Sequence, residues 1–188
     1  LDYKFGGPPI VTFNLALAQK ELGHSVYIVS TYISDEELKN VERNFVILKD
    51  KGIKIILFKS ITFYRLSFQF IKFLLSIKEN SILYFHGLYR FPTSIGALIA
   101  RLNKHQYVIR VHGALDPYLF NKSLKGKYYF ILKKISEKII DFPNLKNSMW
   151  VHLTSEKELK KLPIYIKNNC ILEIIPNGIS EPQNNENL

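Results

Sequence analysis

A chain of 188 residues, 47% hydrophobic and 13% aromatic, has the material for one sizeable core, which excludes a disordered chain. A single cysteine, Cys170, excludes an internal disulfide framework and a four-cysteine metal site. The net charge of +10 points to an anionic partner, and nucleic acid, phosphorylated small molecules and an acidic membrane surface all satisfy it.

The lysines are spread along the chain rather than gathered in one tail, so charge alone does not choose among the three. No apolar run reaches the roughly 18 residues of a membrane span. The best window, Ile82 to Ala100, is interrupted by His86, Arg90 and Pro92. The opening "LDYKFGG" has no signal-peptide pattern, and the expected compartment is the cytoplasm.

In chain order, Pro9 to Leu22 reads as a helix with Val11, Leu15, Ala18 and Leu22 on one face, stopped by Gly23. "SVYIVST" (25–31) reads as a strand, Asp35 to Asp50 as a polar helix ended by Gly52, and "IKIILF" (53–58) as the next strand. A helix with a broad apolar face is predicted over Phe63 to Lys78, then strand "SILYF" (81–85), helix Thr93 to Asn103 and strand "YVIRV" (107–111). Beyond the Asp116-Pro117 loop, a lysine-rich helix is predicted from Lys125 to Ile140. Strand "MWVHLT" (149–154), helix Ser155 to Leu162 and strand "ILEII" (171–175) complete the chain. There is no internal repeat.

Strands alternating with helices imply right-handed crossovers and a mostly parallel, doubly wound α/β sheet. The near-continuous apolar strands agree, because strands buried on both faces do not alternate. In such sheets ligands bind outside the carboxyl ends of the strands. The pairs His86-Gly87 and His112-Gly113, Thr154-Ser155 and Asn177-Gly178 all fall there. "FGGPP" is a glycine turn into a helix with only five residues before Gly6, so the first strand is expected to be missing or partial. Residues 1–178 then form the domain, and "ISEPQNNENL" (179–188) is expected to begin a linker to a further domain.

Gly6 and Gly7 at a helix start could bring phosphate against backbone N–H groups. Pro8 and Pro9 remove donors there, and the bland alternative is a simple turn. Two histidines at equivalent strand ends, each before a glycine that leaves room for a ligand, point to hydroxyl or phosphate recognition or acid–base work. His24, His105 and His152 have no metal-ligand spacing. Ser155 reads as an N-cap, with Glu158 completing a capping box. In the lysine-rich helix, Tyr128, Ile131, Leu132, Ile135 and Ile139 share one face, expected to be core. Tyr129 and Phe130 lie off that stripe near Lys133 and Lys134, as a solvated basic face or one that touches anionic lipid.

The order "GGPPIVTFNLALAQKELGHSVYIVS", "ILYFHGLY", "VIRVHGALDP", "VHLTSEKE", "EIIPNGI" resembles the N-terminal half of retaining glycosyltransferases of family 4, the group-1 type. The resemblance covers nearly the whole chain. It implies a GT-B enzyme in which two Rossmann-like domains face each other, this one holding the acceptor and a second one the nucleotide sugar. It further implies that Gly6 and Gly7 face the donor phosphates, and that His112 and Gly113 lie beside the transferred sugar. His86 would sit nearer the acceptor, and Glu156 and Asn177 near the cleft and hinge; Gly87, Arg90 and Asp116 join the substrate-binding set. The nucleotide sugar would be a substrate, with no cofactor and no metal, and the acceptor a glycan or lipid-linked glycan. The domain alone would be inactive. Two rivals are a basic nucleic-acid-binding module, which fits the charge and the 11 Tyr and 13 Phe but shows no recognised binding motif, and a non-transferase GT-B enzyme such as a nucleotide-sugar epimerase.

Overall fold

The computed structural model describes residues 7–61, 65–78, 80–116 and 127–178, with residues 40–44, 127–130 and 132 described by backbone alone. The elements in order are α1 (Gly7–Glu21), β1 (Tyr27–Tyr32), α2 (Asp35–Asp50), β2 (Lys54–Lys59), α3 (Phe68–Leu75), β3 (Ile82–His86), α4 (Phe91–Leu102) and β4 (Gln106–Arg110). Next come α5 (Lys127–Ser136), a π-helical turn (Glu137–Asp141), α6 (Phe142–Lys146), β5 (Val151–Leu153), α7 (Glu156–Lys161), α8 (Ile164–Lys167) and β6 (Leu172–Ile174). The chain is an α/β protein with parallel strands, as expected. The expected single sheet is divided: β1 pairs with β2, and β3-β4-β5-β6 form a separate four-stranded sheet.

Local chemistry sets the element ends. The Ser34 side chain accepts from Glu37 N at 3.2 Å and starts α2, whose first turn also carries Asp35 and Glu36. α3 begins five residues later than predicted, because Ser67 caps it and Arg65 just before adopts φ 62°. Arg65 instead reaches Glu37 at 2.6 Å and the Thr31 carbonyl at 2.8 Å, tying that turn to the end of β1. The helix α8 was not foreseen; Pro163 precedes it and fixes its entry.

Three apolar clusters hold the layers together. Ala16, Ile28, Leu48 and Ile53 join α1 and α2 to the small sheet, with Phe13 and Leu17 packed alongside. That is not the α1 face expected from helical spacing: Ala18 and Leu22 are exposed. Phe70 and Leu74 of α3 and Ile99 of α4 gather Val29 and Phe58, so these helices bridge the two sheets. The largest cluster packs α4, α6, α7 and α8 on the four-stranded sheet through residues such as Ala97, Leu145, Leu162 and Ile166 around Tyr107, Ile109 and Val151.

The isoleucine stripe of the lysine-rich helix is the clearest correction. Ile131, Ile135 and Ile139 are 45%, 49% and 64% exposed rather than buried, while the side chains of Tyr128 and Leu132 lie outside the described residues. Polar anchors turn the helix this way. Asp141, fully buried, accepts from Ser94 Oγ of α4 at 2.5 Å and from Ser136 Oγ at 3.1 Å. Glu137 accepts from Tyr165, and the Lys133 ammonium lies over the Tyr89 ring, 4.5 Å from its centroid. Pro143 cannot donate to the Ile139 carbonyl and crowds it, and the wider π turn just upstream takes up that conflict.

Gly96 of α4 lies against β3 so closely that a Cβ there would meet Phe85 Cε1 at 2.6 Å. Glycine in a helix ordinarily costs about 0.5–1 kcal/mol relative to alanine. Here Gly96→Ala is expected to destabilise by about 1–3 kcal/mol, because the Phe85 ring is packed edge-on against Tyr107 and has little room to move. Equilibrium denaturation checks this; a variant as stable as the parent, or more so, would show that α4 does not depend on the close approach.

Candidate functional site

The register of the four-stranded sheet creates the site. His86 of β3 lies opposite Arg110 of β4, Arg110 opposite His152 of β5, and His152 opposite Glu173 of β6. Directly opposed residues project from the same face of a sheet. Three basic side chains therefore stand in one row across the carboxyl-terminal rim, with Tyr84 one step below. Tyr107, whose hydroxyl donates to the Asn144 carbonyl at 2.8 Å, belongs to the opposite, helix-covered face.

His112, two residues beyond Arg110, joins the row from the loop after β4. Its ring stacks on His86 with centroids 5.4 Å apart, and His86 Nδ1 lies 3.2 Å from His112 Nε2. The chain reverses sharply to allow this: Gly87 and Gly113 have φ of 91° and 74°, and His112 itself 49°. Left-handed backbone is uncommon for a side-chain-bearing residue, and here the surrounding contacts enforce it. The ladder also continues past the strand ends, Gly87 N donating to the Arg110 carbonyl at 2.8 Å.

Both imidazoles are neutral at physiological pH. Burial pulls His86 down to about 3, with the neighbouring His112 and Arg110 adding to it. Burial also pulls His112 down to about 4, with Arg110 adding to it and Glu158 opposing. Such a pair can share one N–H between its ring nitrogens and still offer a donor and an acceptor to a ligand.

Arg110 is 3% exposed. It donates from Nη2 to Asn177 Oδ1 and lies close enough to the Tyr84 hydroxyl to interact with it, while its buried Nε has no partner. Tyr84 in turn meets His152 Nδ1, and His152 Nε2 lies 2.7 Å from the Ile175 carbonyl. A carbonyl only accepts, so Nε2 carries the proton and Nδ1 accepts from the tyrosine. Arg110 and His152 thereby fasten the segment Ile175 to Asn177 against the ends of β4 and β5.

Glu158 ties the two loops of the rim together. Its carboxylate accepts from Gly113 N at 2.7 Å, Thr154 N at 2.6 Å and Thr154 Oγ1 at 2.9 Å. The capping box expected here is half present: Ser155 Oγ accepts from Glu158 N at 3.3 Å, but the carboxylate reaches the β4 loop instead of closing on Ser155. Beside it lies an open cavity of about 320 Å³ lined by His112, Gly113, Asp116, Thr154, Glu158 and Lys161, among others. Lys161 pairs with Asp116 at 2.5 Å across its wall. The mixed lining, with hydroxyl, carboxylate, ammonium and imidazole groups, suits a polar, hydroxyl-rich ligand.

Of the residues singled out from sequence, His86, Gly87, His112, Gly113, Asp116 and Asn177 come together on this rim. Arg90 is exposed at the start of α4, which it caps without a side-chain hydrogen bond. Glu156 is exposed on α7, and the carboxylate that enters the site is Glu158. Gly7 opens α1 with open space around it, and Gly6 lies outside the described residues. Sequence reasoning missed Tyr84, Arg110 and His152 as site residues. The available signal was a charge or imidazole inside an otherwise apolar strand, where polar groups are seldom buried without a task. Among the described residues, no group of three or more His, Cys, Asp and Glu side chains could hold a metal ion. No family model matches the chain, and no curated protein or solved structure is significantly similar to it.

The depressed imidazoles make stability pH-dependent with a definite sign. Between the unfolded value of about 6.5 and the folded values of about 3 and 4, the unfolded chain binds more protons. Stability is therefore complete above about pH 6.5 and falls as pH drops toward 4, by at most about 1.4 kcal/mol per pH unit for each histidine. Replacing both, His86→Gln with His112→Gln, is expected to flatten this acid limb in urea titrations run from pH 7.5 to 4. An equally steep limb in the double variant would mean that other groups carry it.

Proposed function

We propose that this chain is the acceptor-side domain of a GT-B retaining glycosyltransferase, which moves a sugar from a nucleotide-sugar donor to a glycan or lipid-linked acceptor. The observation that carries this is the meeting of His86 and His112, each before a positive-φ glycine, at the carboxyl rim of adjacent parallel strands. That is where open α/β sheets bind ligands. The order of motifs along the chain supports the same reading, as does a cavity of mixed polar and apolar lining at His112, large enough for a sugar ring.

In this proposal the bond from the anomeric carbon to the donor phosphate breaks as the bond to the acceptor oxygen forms on the same face. The acceptor's proton passes to the leaving phosphate. The protein supplies position and electrostatics. A neutral His112 suits the task, because an imidazolium would repel the positive charge that builds on the sugar ring. In the full-length polypeptide, His112→Ala is expected to lower turnover with nucleotide sugar and acceptor by about 100-fold, close to 3 kcal/mol of barrier. Undiminished turnover would remove His112 from the mechanism. Isomerisation of the nucleotide sugar without acceptor would favour an epimerase, and salt-dependent retention of short DNA or RNA a nucleic-acid module.

The exposed stripe on α5 and the π-helical turn after it supports a peripheral site of action at an anionic membrane. Ile131, Ile135 and Ile139 recur every four residues, and Lys134 and Lys138, both exposed, stand beside them. Among the described residues, no helix is long and apolar enough to cross a membrane; an amphipathic face of this kind lies in the interface plane. Ile135→Asp is expected to reduce co-sedimentation with phosphatidylglycerol vesicles several-fold without altering the unfolding midpoint, and 0.5 M salt to weaken binding of the parent. Equal sedimentation of parent and variant would rule out this face.

A further inference from the structure

Arginine is seldom buried without a carboxylate or phosphate to neutralise it, because a desolvated, unpaired charge is costly. Arg110 is an exception. It is 3% exposed, yet among the described residues it forms no salt bridge. The contacts it makes are neutral, Asn177 Oδ1 and Tyr84, and its buried Nε is unused. The carboxylate that acts on Arg110, Glu158, is already committed to two backbone N–H groups and a hydroxyl. The side chains around it in the row, His86 and His152, are imidazoles whose protonated form is disfavoured by the same burial and by Arg110 itself.

A cation held in this way, on the strand rim and beside the His86–His112 pair, which keeps one N–H to donate, is arranged to receive negative charge from a ligand. We propose that Arg110 is the anion-recognition residue of this rim, and that it takes an oxyanion group, phosphate or carboxylate, carried by the sugar substrate. The guanidinium offers its unpartnered Nε and can redirect Nη2 from the exposed side chain of Asn177, giving the two parallel donors that planar oxyanions accept. The identity of the ligand as a sugar rests on the proposed transfer function. The binding of an oxyanion does not, and it is measured separately from turnover.

The test uses thermal unfolding of the chain with inorganic phosphate, a sugar 1-phosphate, glucuronate or neutral glucose, ionic strength being held constant with potassium chloride. At ten times its dissociation constant, a bound oxyanion is expected to raise the midpoint by about 3–6 °C, and glucose to add no comparable shift. A response to the phosphates alone assigns a phosphorylated substrate, and a response to glucuronate alone an acidic sugar. Arg110→Gln removes the charge but keeps a donor for Asn177. It is expected to unfold at or above the parent's ligand-free midpoint and to lose the oxyanion shift. If that variant does not unfold cooperatively, Arg110→Lys serves instead, with affinity weakened at least ten-fold. The proposal falls if no oxyanion exceeds chloride, or if the substituted chain keeps the full shift.

Discussion

The buried guanidinium of Arg110 is the constraint to which the rest of the rim conforms. A positive charge 3% exposed to solvent depresses the protonation of every base near it, and His86, His112 and His152 all titrate low partly on its account. Their neutrality in turn permits the close packing seen. Two imidazolium rings stacked at 5.4 Å would repel each other, and a protonated His152 could not accept from Tyr84. Burial together with this one charge keeps the three histidines neutral, and the Ile175 carbonyl fixes the tautomer of His152.

Geometry reaches this arrangement through the parallel register rather than through any one loop. Because opposed residues share a face, His86, Arg110 and His152 line up only when β3, β4 and β5 are paired as they are. A slip of one residue would send Arg110 into the helix-packed face now occupied by Tyr107 and Ile109. Glu158 secures the other dimension, holding the loop after β4 to the end of β5. It keeps His112 in its left-handed conformation with bonds that a neutral side chain would make less well.

The helices and strands were largely legible in the sequence, since apolar runs broken by glycine and proline report local structure directly. The strand ends at His86 and His112 were legible for the same reason: they are where apolar runs stop. What was not legible depends on pairing. Arg110 and His152 sit inside strands, and nothing in "YVIRV" or "MWVHLT" says that they face each other; only the register does. Glu158 was read as a local cap because its spacing from Ser155 fits one, yet a carboxylate with four lone-pair sites also reached a loop 45 residues away. The stripe Ile131-Ile135-Ile139 has core periodicity, but helix orientation was decided by Asp141 and Ser94, a contact invisible to periodicity.

The same hydrogen bonds join the rim to the segment that leaves it. Asn177 is held by Arg110 and the Ile175 carbonyl by His152, so the outgoing chain is fastened by the two bases that flank the site. A hydrogen-bond donor engaged by one acceptor is unavailable to another. Whatever takes the donors of Arg110 takes one of them from Asn177, and a shift in the outgoing segment frees that donor for the rim. Under the proposed oxyanion binding, occupancy of the rim and attachment of the Ile175–Asn177 segment would be linked, equally in both directions. Its strength is limited to the difference between the two sets of contacts Arg110 can make, which favours a charged acceptor over the neutral amide now in place.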